Sequence, residues 1–97
     1  MKPGAFFEWD QRKASRNLEL GRPSFESVSR FRFETAITFE DTRADYGEKR
    51  MTAIGLLDGR VHVLVYTERD KVVRIISFRN ANDREIRRYD RETMGRN

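Results

Sequence analysis

The run from Arg50 to Arg79 constrains the fold more than any other part of the chain. Within it, Val61, Val63 and Val65 alternate with His62, Leu64 and Tyr66, the period-two pattern of a β-strand. Val72–Arg79 is rich in β-branched residues and fits a second strand. Glu68-Arg69-Asp70-Lys71 between them is polar enough for a solvated hairpin loop. Upstream, Asp58-Gly59 is a strong hairpin signal, because a type I′ turn needs positive φ at both central positions. It joins this stretch to an earlier strand, Arg50–Leu57. The result is a three-stranded antiparallel meander loaded with arginine, with Arg69, Arg74 and Arg79 in or beside the last hairpin.

The flanking segments add a fourth strand and three helices. Ala5–Trp9 reads as an edge strand or an extended arm. Asp10 is an N-cap for a helix over Asp10–Leu20, with Ala14 and Leu18 at i, i+4 and Gly21 as its stop. A second helix starts at Ser24, after Pro23, and buries Phe25, Val28, Phe31 and Phe33. Ala36–Asp41 has β character, and Thr42–Lys49 is a polar loop. Asn82 and Glu85 form a capping box for a last helix running to about Thr93, with Ile86 and Tyr89 on its buried side. The expectation is one α+β domain over residues 1–97, with a four-stranded antiparallel core sheet, two N-terminal helices and a C-terminal helix.

Composition limits the chemistry. The chain has 97 residues and no cysteine, so disulfides, thiolate metal sites and a Cys nucleophile are excluded. No run approaches the roughly 20 apolar residues of a membrane span, and Met1-Lys2-Pro3-Gly4 lacks the apolar stretch of a secretory signal. A cytoplasmic setting fits these features. Residues 69–97 carry 9 Lys+Arg against 5 Asp+Glu, whereas the first 68 residues balance at 11 each. That excess suits a polyanion partner as well as it suits a solvated helix face.

Among single residues, His62 is the only histidine and fits a strand position better than a catalytic one. The carboxylates have no metal-ligand spacing, and no Gly-rich phosphate loop is present. No cofactor is expected. Arg74 sits mid-strand, where a long cation needs a partner or open water. A hairpin with Arg69-Asp70 at its tip sets Val65 opposite Arg74 and Ser77 opposite His62. It also places Arg74 and Arg79 on opposite faces, so a bulge, or a strand end curling at Phe78, would be needed to bring both to one site. Locally, cross-strand pairing with a carboxylate and phosphate binding explain Arg74 equally well.

The ordered motifs resemble the BrnT family of type II toxins. They are Phe7-Glu8-Trp9-Asp10, Lys13, Asn17-Leu18, Ser24-Phe25-Glu26, Gly47-Glu48-Lys49-Arg50 and Ile54-Gly55. Tyr66-Thr67-Glu68-Arg69, Arg74-Ile75-Ile76-Ser77, Arg79, Ala81, Glu85 and Tyr89 complete the set. The resemblance implies a RelE-like fold and metal-independent RNA cleavage that inhibits translation. It also implies a BrnA-like ribbon-helix-helix antitoxin as partner, with operator DNA bound only through the antitoxin. The expected catalytic set is Arg50, Arg69, Arg74 and Arg79 for charge stabilisation, with Glu48 and Tyr89, and also Tyr66 and His62, as proton-transfer candidates. Lys49, Arg84, Arg87, Arg88 and Arg91 are expected to bind RNA. Two departures stand out. Leu20-Gly21-Arg22-Pro23 replaces the family's usual Lys-His-Gly, and Arg32-Phe33-Glu34 replaces its Asp-Pro after Phe31. The first favours a rival expectation, a basic module that binds RNA or an acidic protein without cleaving.

Overall fold

The computed structural model describes residues 6–94. Ala5 and the Met1–Gly4 segment lie outside the described residues. Five strands form one sheet: β1 (Phe6–Trp9), β2 (Ile37–Asp41), β3 (Arg50–Leu57), β4 (Arg60–Arg69) and β5 (Val72–Asn80). Two α-helices, α1 (Gln11–Glu19) and α2 (Asp83–Thr93), accompany it, with 3₁₀ turns at Phe25–Arg30 and Phe33–Thr35. The fold is α+β, but the sheet is mixed and five-stranded, in the order β1-β5-β4-β3-β2.

The first correction concerns the sheet: the edge strand expected near Trp9 joins it as a fifth, parallel strand, so the sheet is neither four-stranded nor wholly antiparallel. β1 pairs in parallel with β5, from Phe6 opposite Val72 to Trp9 opposite Ile75. Its alternation explains the docking: Phe7 and Trp9 point into the core, whereas Phe6 is 69% exposed. A short arm with two aromatic rings on one side buries them best by completing the sheet edge.

The second correction concerns the second N-terminal helix, which is a 3₁₀ turn. Phe25, Val28 and Phe31 are all buried and lie three residues apart. A helix of three residues per turn keeps such a set on one line, whereas an α-helix would let it drift around the axis. Phe31 and Phe33 then meet edge-to-face at 4.9 Å.

In α1, Asp10 caps the helix by accepting from the Arg12 amide at 2.7 Å, and Gly21 ends it at φ 74°. The buried partner of Ala14 is Asn17 rather than Leu18, which is 56% exposed. Asn17 donates to the carbonyls of Pro23 and Phe78, each at 2.8 Å, and so ties helix, loop and β5 together. Gly55 answers a different need. A Cβ there would lie 2.8 Å from both Ala36 Cβ and the Phe31 ring, so the 3₁₀ layer can pack onto β3 only without a side chain.

The two faces of the sheet differ. One carries α1 and the 3₁₀ turns over the main core, built on Phe25, Val28, Phe31, Leu64, Ile75 and Phe78. The other carries α2 over a smaller cluster of Ile37, Ile54, Val63 and Tyr89. Asp58 (φ 51°) and Gly59 (φ 81°) form the expected turn, and Leu57 pairs with Arg60 across it.

Candidate nucleic-acid interface

The last hairpin departs from the simple register in two ways, and both bear on the arginines. Its turn is Asp70-Lys71, with Arg69 opposite Val72. Further along, Val65 pairs with Ser77 while Tyr66 pairs with Ile75, so Ile76 is an extra residue in β5. Arg74 therefore lies opposite Thr67, not Val65, and His62 lies opposite Asn80, not Ser77. A bulge shifts the side-chain alternation by one. Arg74 and Arg79 consequently share the face that carries α2, about four strand steps or roughly 13 Å apart.

Near the open end of this face a polar row crosses the sheet. Asp41 is paired with Arg50, Thr67 with Arg74, and Arg74 with Glu8. Extending the β3–β4 register by one step sets Arg50 beside Thr67. Arg74 and Glu8 form an ion pair at 3.6 Å, with side chains 45% and 54% exposed. At that distance and exposure the pair is loose, and Arg74 keeps most of its donors for another anion. Arg50 lies over the Tyr46 ring at 3.9 Å, and its buried Nε has no hydrogen-bond partner among the described residues.

Arg74, Glu8, Glu48, Lys49 and Arg69 line one cavity of about 370 Å³. The fold thus brings together four of the expected residues. It adds Glu8, which sequence reasoning passed over as part of an edge strand. The parallel pairing of β1 is what puts Glu8 beside Arg74, and only a register would have shown it.

A second cavity, of about 330 Å³, opens on the same face nearer α2. Asp41, Arg43, Arg79 and Glu85 stand around it, and Phe39, Thr52, Val63 and Val65 line it. Asp41 is buried and accepts from Arg43 Nε at 2.9 Å, Arg43 Nη2 at 2.8 Å and Tyr46 Oη at 3.3 Å. The Arg43 hydrogen bonds hold the Asp41 carboxyl down at about 2, against the opposing effect of burial. On the other side, Arg79 donates Nη1 and Nη2 to Glu85, each at 2.8 Å. Those bonds raise the Arg79 pKa and lower that of Glu85. Glu85 also accepts from the Asn82 amide in the capping box. Arg79 is therefore on the right face but engaged with the N-terminus of α2, unlike Arg74. Arg43 had a local signal in the sequence, since an Asp-x-Arg pair at a strand end can close on itself.

The remaining expected residues are dispersed. Tyr89 is buried in the smaller core cluster. Tyr66 is buried on the opposite face, edge-on to Phe33, and burial followed by the Glu68 charge pushes its hydroxyl pKa up. His62 is buried on that face too, with Nδ1 2.9 Å from the Arg60 carbonyl and its ring against Phe78. On α2, Arg88 pairs with Glu92 at 2.6 Å and lies over Phe39 at 4.3 Å. Arg84, Arg87 and Arg91 are exposed at i, i+3 and i+7, which forms one outward stripe.

No curated protein matches the chain. A family model does: that of the ribonuclease toxin, BrnT, of type II toxin-antitoxin systems, over residues 9–85. The match covers β2 to β5 whole and the last residue of β1, and takes in Arg50, Arg69, Arg74, Arg79 and Glu85. The chain belongs to the BrnT family of type II toxin–antitoxin ribonuclease toxins, which implies an antitoxin partner.

Proposed function

We propose that the open end of the α2-bearing face cleaves RNA without a metal ion, and that this activity inhibits translation in the cytoplasm. The observation that carries the reading is the loose Arg74–Glu8 pair inside a cavity that also holds Glu48, Lys49 and Arg69. A carboxylate beside an arginine can take the proton of a ribose 2′-hydroxyl while the guanidinium receives the charge developing on phosphorus. The 2′-oxygen bonds to the adjacent phosphorus, the bond from phosphorus to the 5′-oxygen breaks, and a 2′,3′-cyclic phosphate and a 5′-hydroxyl result. Glu8 is the proposed base, with Glu48 as the second carboxylate of the cavity. Arginine, with a pKa above about 12, cannot return a proton to the leaving oxygen, whereas a lysine ammonium can. That role falls to Lys49. Arg74 and Arg69 bind the scissile phosphate, Arg50 extends the positive row, and Arg79 positions α2.

Metal independence is part of this proposal, because the assignment gives the proton transfers and the charge stabilisation to side chains. Among the described residues no group of three or more His, Asp or Glu side chains could hold a metal ion. The partner is proposed to be a BrnA-like antitoxin that covers the same face and supplies the DNA binding. No helix among the described residues is long and apolar enough to cross a membrane.

The test is product chemistry. Incubated with single-stranded RNA in EDTA, the purified chain should yield fragments ending in 2′,3′-cyclic phosphate, and Glu8→Gln should slow their appearance at least tenfold. Products ending in a 3′-hydroxyl, or cleavage abolished by EDTA, would refute the mechanism. A second reading, a binding module without cleavage, draws on two observations: the engagement of Arg79 with Glu85, and Leu20-Gly21-Arg22-Pro23 in place of Lys-His-Gly. Under it, RNA is bound but recovered intact.

A further inference from the structure

We propose that the second cavity, between Arg43 and Arg79, is a nucleobase subsite that reads guanine on the RNA strand being cleaved. The inference rests on the RNA-cleaving reading of this face and adds to it a recognition element.

Hydrogen-bond accounting in the cavity shows what it can still bind. The four lone-pair sites of Asp41 are filled, by the Arg43 amide and Nε on one oxygen and by Arg43 Nη2 and Tyr46 Oη on the other. Asp41 thus acts as a buried anchor and has no acceptor to spare. Arg43 spends its Nε–Nη2 edge on that anchor, so its outer Nη1–Nη2 edge faces away from Asp41. The side chain is 79% exposed, while that of Asp41 is 3% exposed. A guanidinium fixed along one edge presents a rigid two-donor fork at the other. Across the cavity, Arg79 has its Nη atoms on Glu85.

The ligand class follows from charge and shape. Glu40, Asp41 and Glu85 outnumber Arg43 and Arg79 in the lining, so a phosphate entering here would meet net negative charge. A neutral base would not. The sheet beneath offers Val65 and, beside Arg88, part of the Phe39 ring, an apolar patch against which a base can lie. A two-donor fork pairs best with two adjacent acceptors, and among the bases guanine supplies these in O6 and N7. The spacing agrees. Thr67 lines the cleavage cavity and Val65 the second one, two residues along β4 or about 7 Å. That is of the order of one nucleotide repeat, so the subsite takes a neighbour of the scissile linkage.

The test uses short single-stranded uridine oligonucleotides carrying one guanosine, one adenosine or one 7-deazaguanosine. Binding is measured by fluorescence anisotropy on 2′-O-methylated strands, which lack the attacking hydroxyl, and cleavage on unmodified strands. The parent chain should bind the guanosine strand about tenfold more tightly than the other two. Arg43→Ala should remove that preference, so that the guanosine strand binds no more tightly than the adenosine strand. Because Arg43→Ala leaves Asp41 buried without its partner, Arg43→Lys and Asp41→Asn/Arg43→Ala are measured beside it. Arg43→Lys keeps the charge but loses the fork, and it too should lose the preference. Equal binding of all strands by the parent, or a preference that survives in every folded variant, would overturn the proposal. So would equal binding of all strands together with weakened antitoxin binding by Arg43→Ala, which would mark a protein contact. Guanine-selective binding without cleavage would sink the ribonuclease reading and leave the subsite standing. Unselective cleavage would do the reverse.

Discussion

Asp41 shows how a single residue can be both structural support and functional frame. It sits nearly out of solvent at the end of β2, with an acidity that depends on Arg43. Its folded pKa of about 2 lies below the usual value of about 3.9. A depressed carboxyl stabilises the fold above the unfolded pKa and loses that contribution as pH falls through the folded one. Acid unfolding should therefore include a component between about pH 4 and pH 2 that Asp41→Asn removes, seen by far-UV circular dichroism during acid titration. Glu85 and Asp58, both lowered by hydrogen bonds from an arginine, shift stability in the same direction. Arg74 is a different kind of residue. Local sequence left it divided between pairing and phosphate binding, and the fold gives it a carboxylate partner that holds it loosely. Glu8 was not legible as that partner, because no local pattern reports a parallel strand pairing. Asn17 enters the sequence reading only within the Asn17-Leu18 motif, and its burial is hidden there for a related reason: a polar residue beside Leu18 looks exposed until its two carbonyl partners, Pro23 and Phe78, arrive from other parts of the chain.

At the scale of elements, most of what rests on neighbouring residues matches the structure, although the last turn falls at Asp70-Lys71 rather than Arg69-Asp70 and Leu18 is exposed. The Asp58-Gly59 turn, the Asp10 and Asn82 caps and the end of α2 at Thr93 depend on neighbouring residues, and each lies where the sequence placed it. The larger misreadings lie where distant packing decides. Phe25, Val28 and Phe31 carried a spacing of three that signals a 3₁₀ turn, but only their shared burial shows that the spacing is used. The Ile76 bulge entered the sequence reading only as a condition for Arg74 and Arg79 to share a face, yet strict alternation would set Phe78 beside Arg74, and the bulge puts Phe78 with buried Val73 and Ile75 instead. Its consequence is functional, because it brings Arg74 and Arg79 to one face. α2 depends on its start: Asn82 and Glu85 satisfy each other's backbone amides, and Glu85 holds Arg79. Asn82→Ala should cost about 1 kcal/mol and lower Tm by roughly 4–8 °C, measured by thermal melt. Gly55→Ala should destabilise as well, because the Phe31 ring and Ala36 cannot both retreat from a new methyl group.

At the scale of the whole molecule, the registers put Arg50, Arg69, Arg74 and Arg79 on a single face of the sheet. The sheet face opposite is closed over by α1 and the 3₁₀ turns, whereas the α2-bearing face carries the two cavities flanked by Arg69, Arg74, Arg43 and Arg79. Arg84, Arg87 and Arg91 extend that surface along the outside of α2. RNA affinity should fall steeply with salt, with a slope of about −0.7 per phosphate neutralised on a single strand. Replacing the three helix arginines with glutamine should flatten the slope without changing the cleavage products. The central claim is that Arg74, held loosely by Glu8, stabilises charge on the scissile phosphate, and that the lone histidine does not. The most direct measurement is the single-turnover RNA cleavage rate, in EDTA, of the parent, Arg74→Ala and His62→Ala, each below its own melting temperature. Losing a transition-state contact of this kind costs about a hundredfold, so Arg74→Ala should be slower by about that factor and His62→Ala by much less. Parental cleavage by a folded Arg74→Ala, or a larger loss in His62→Ala, would contradict the account.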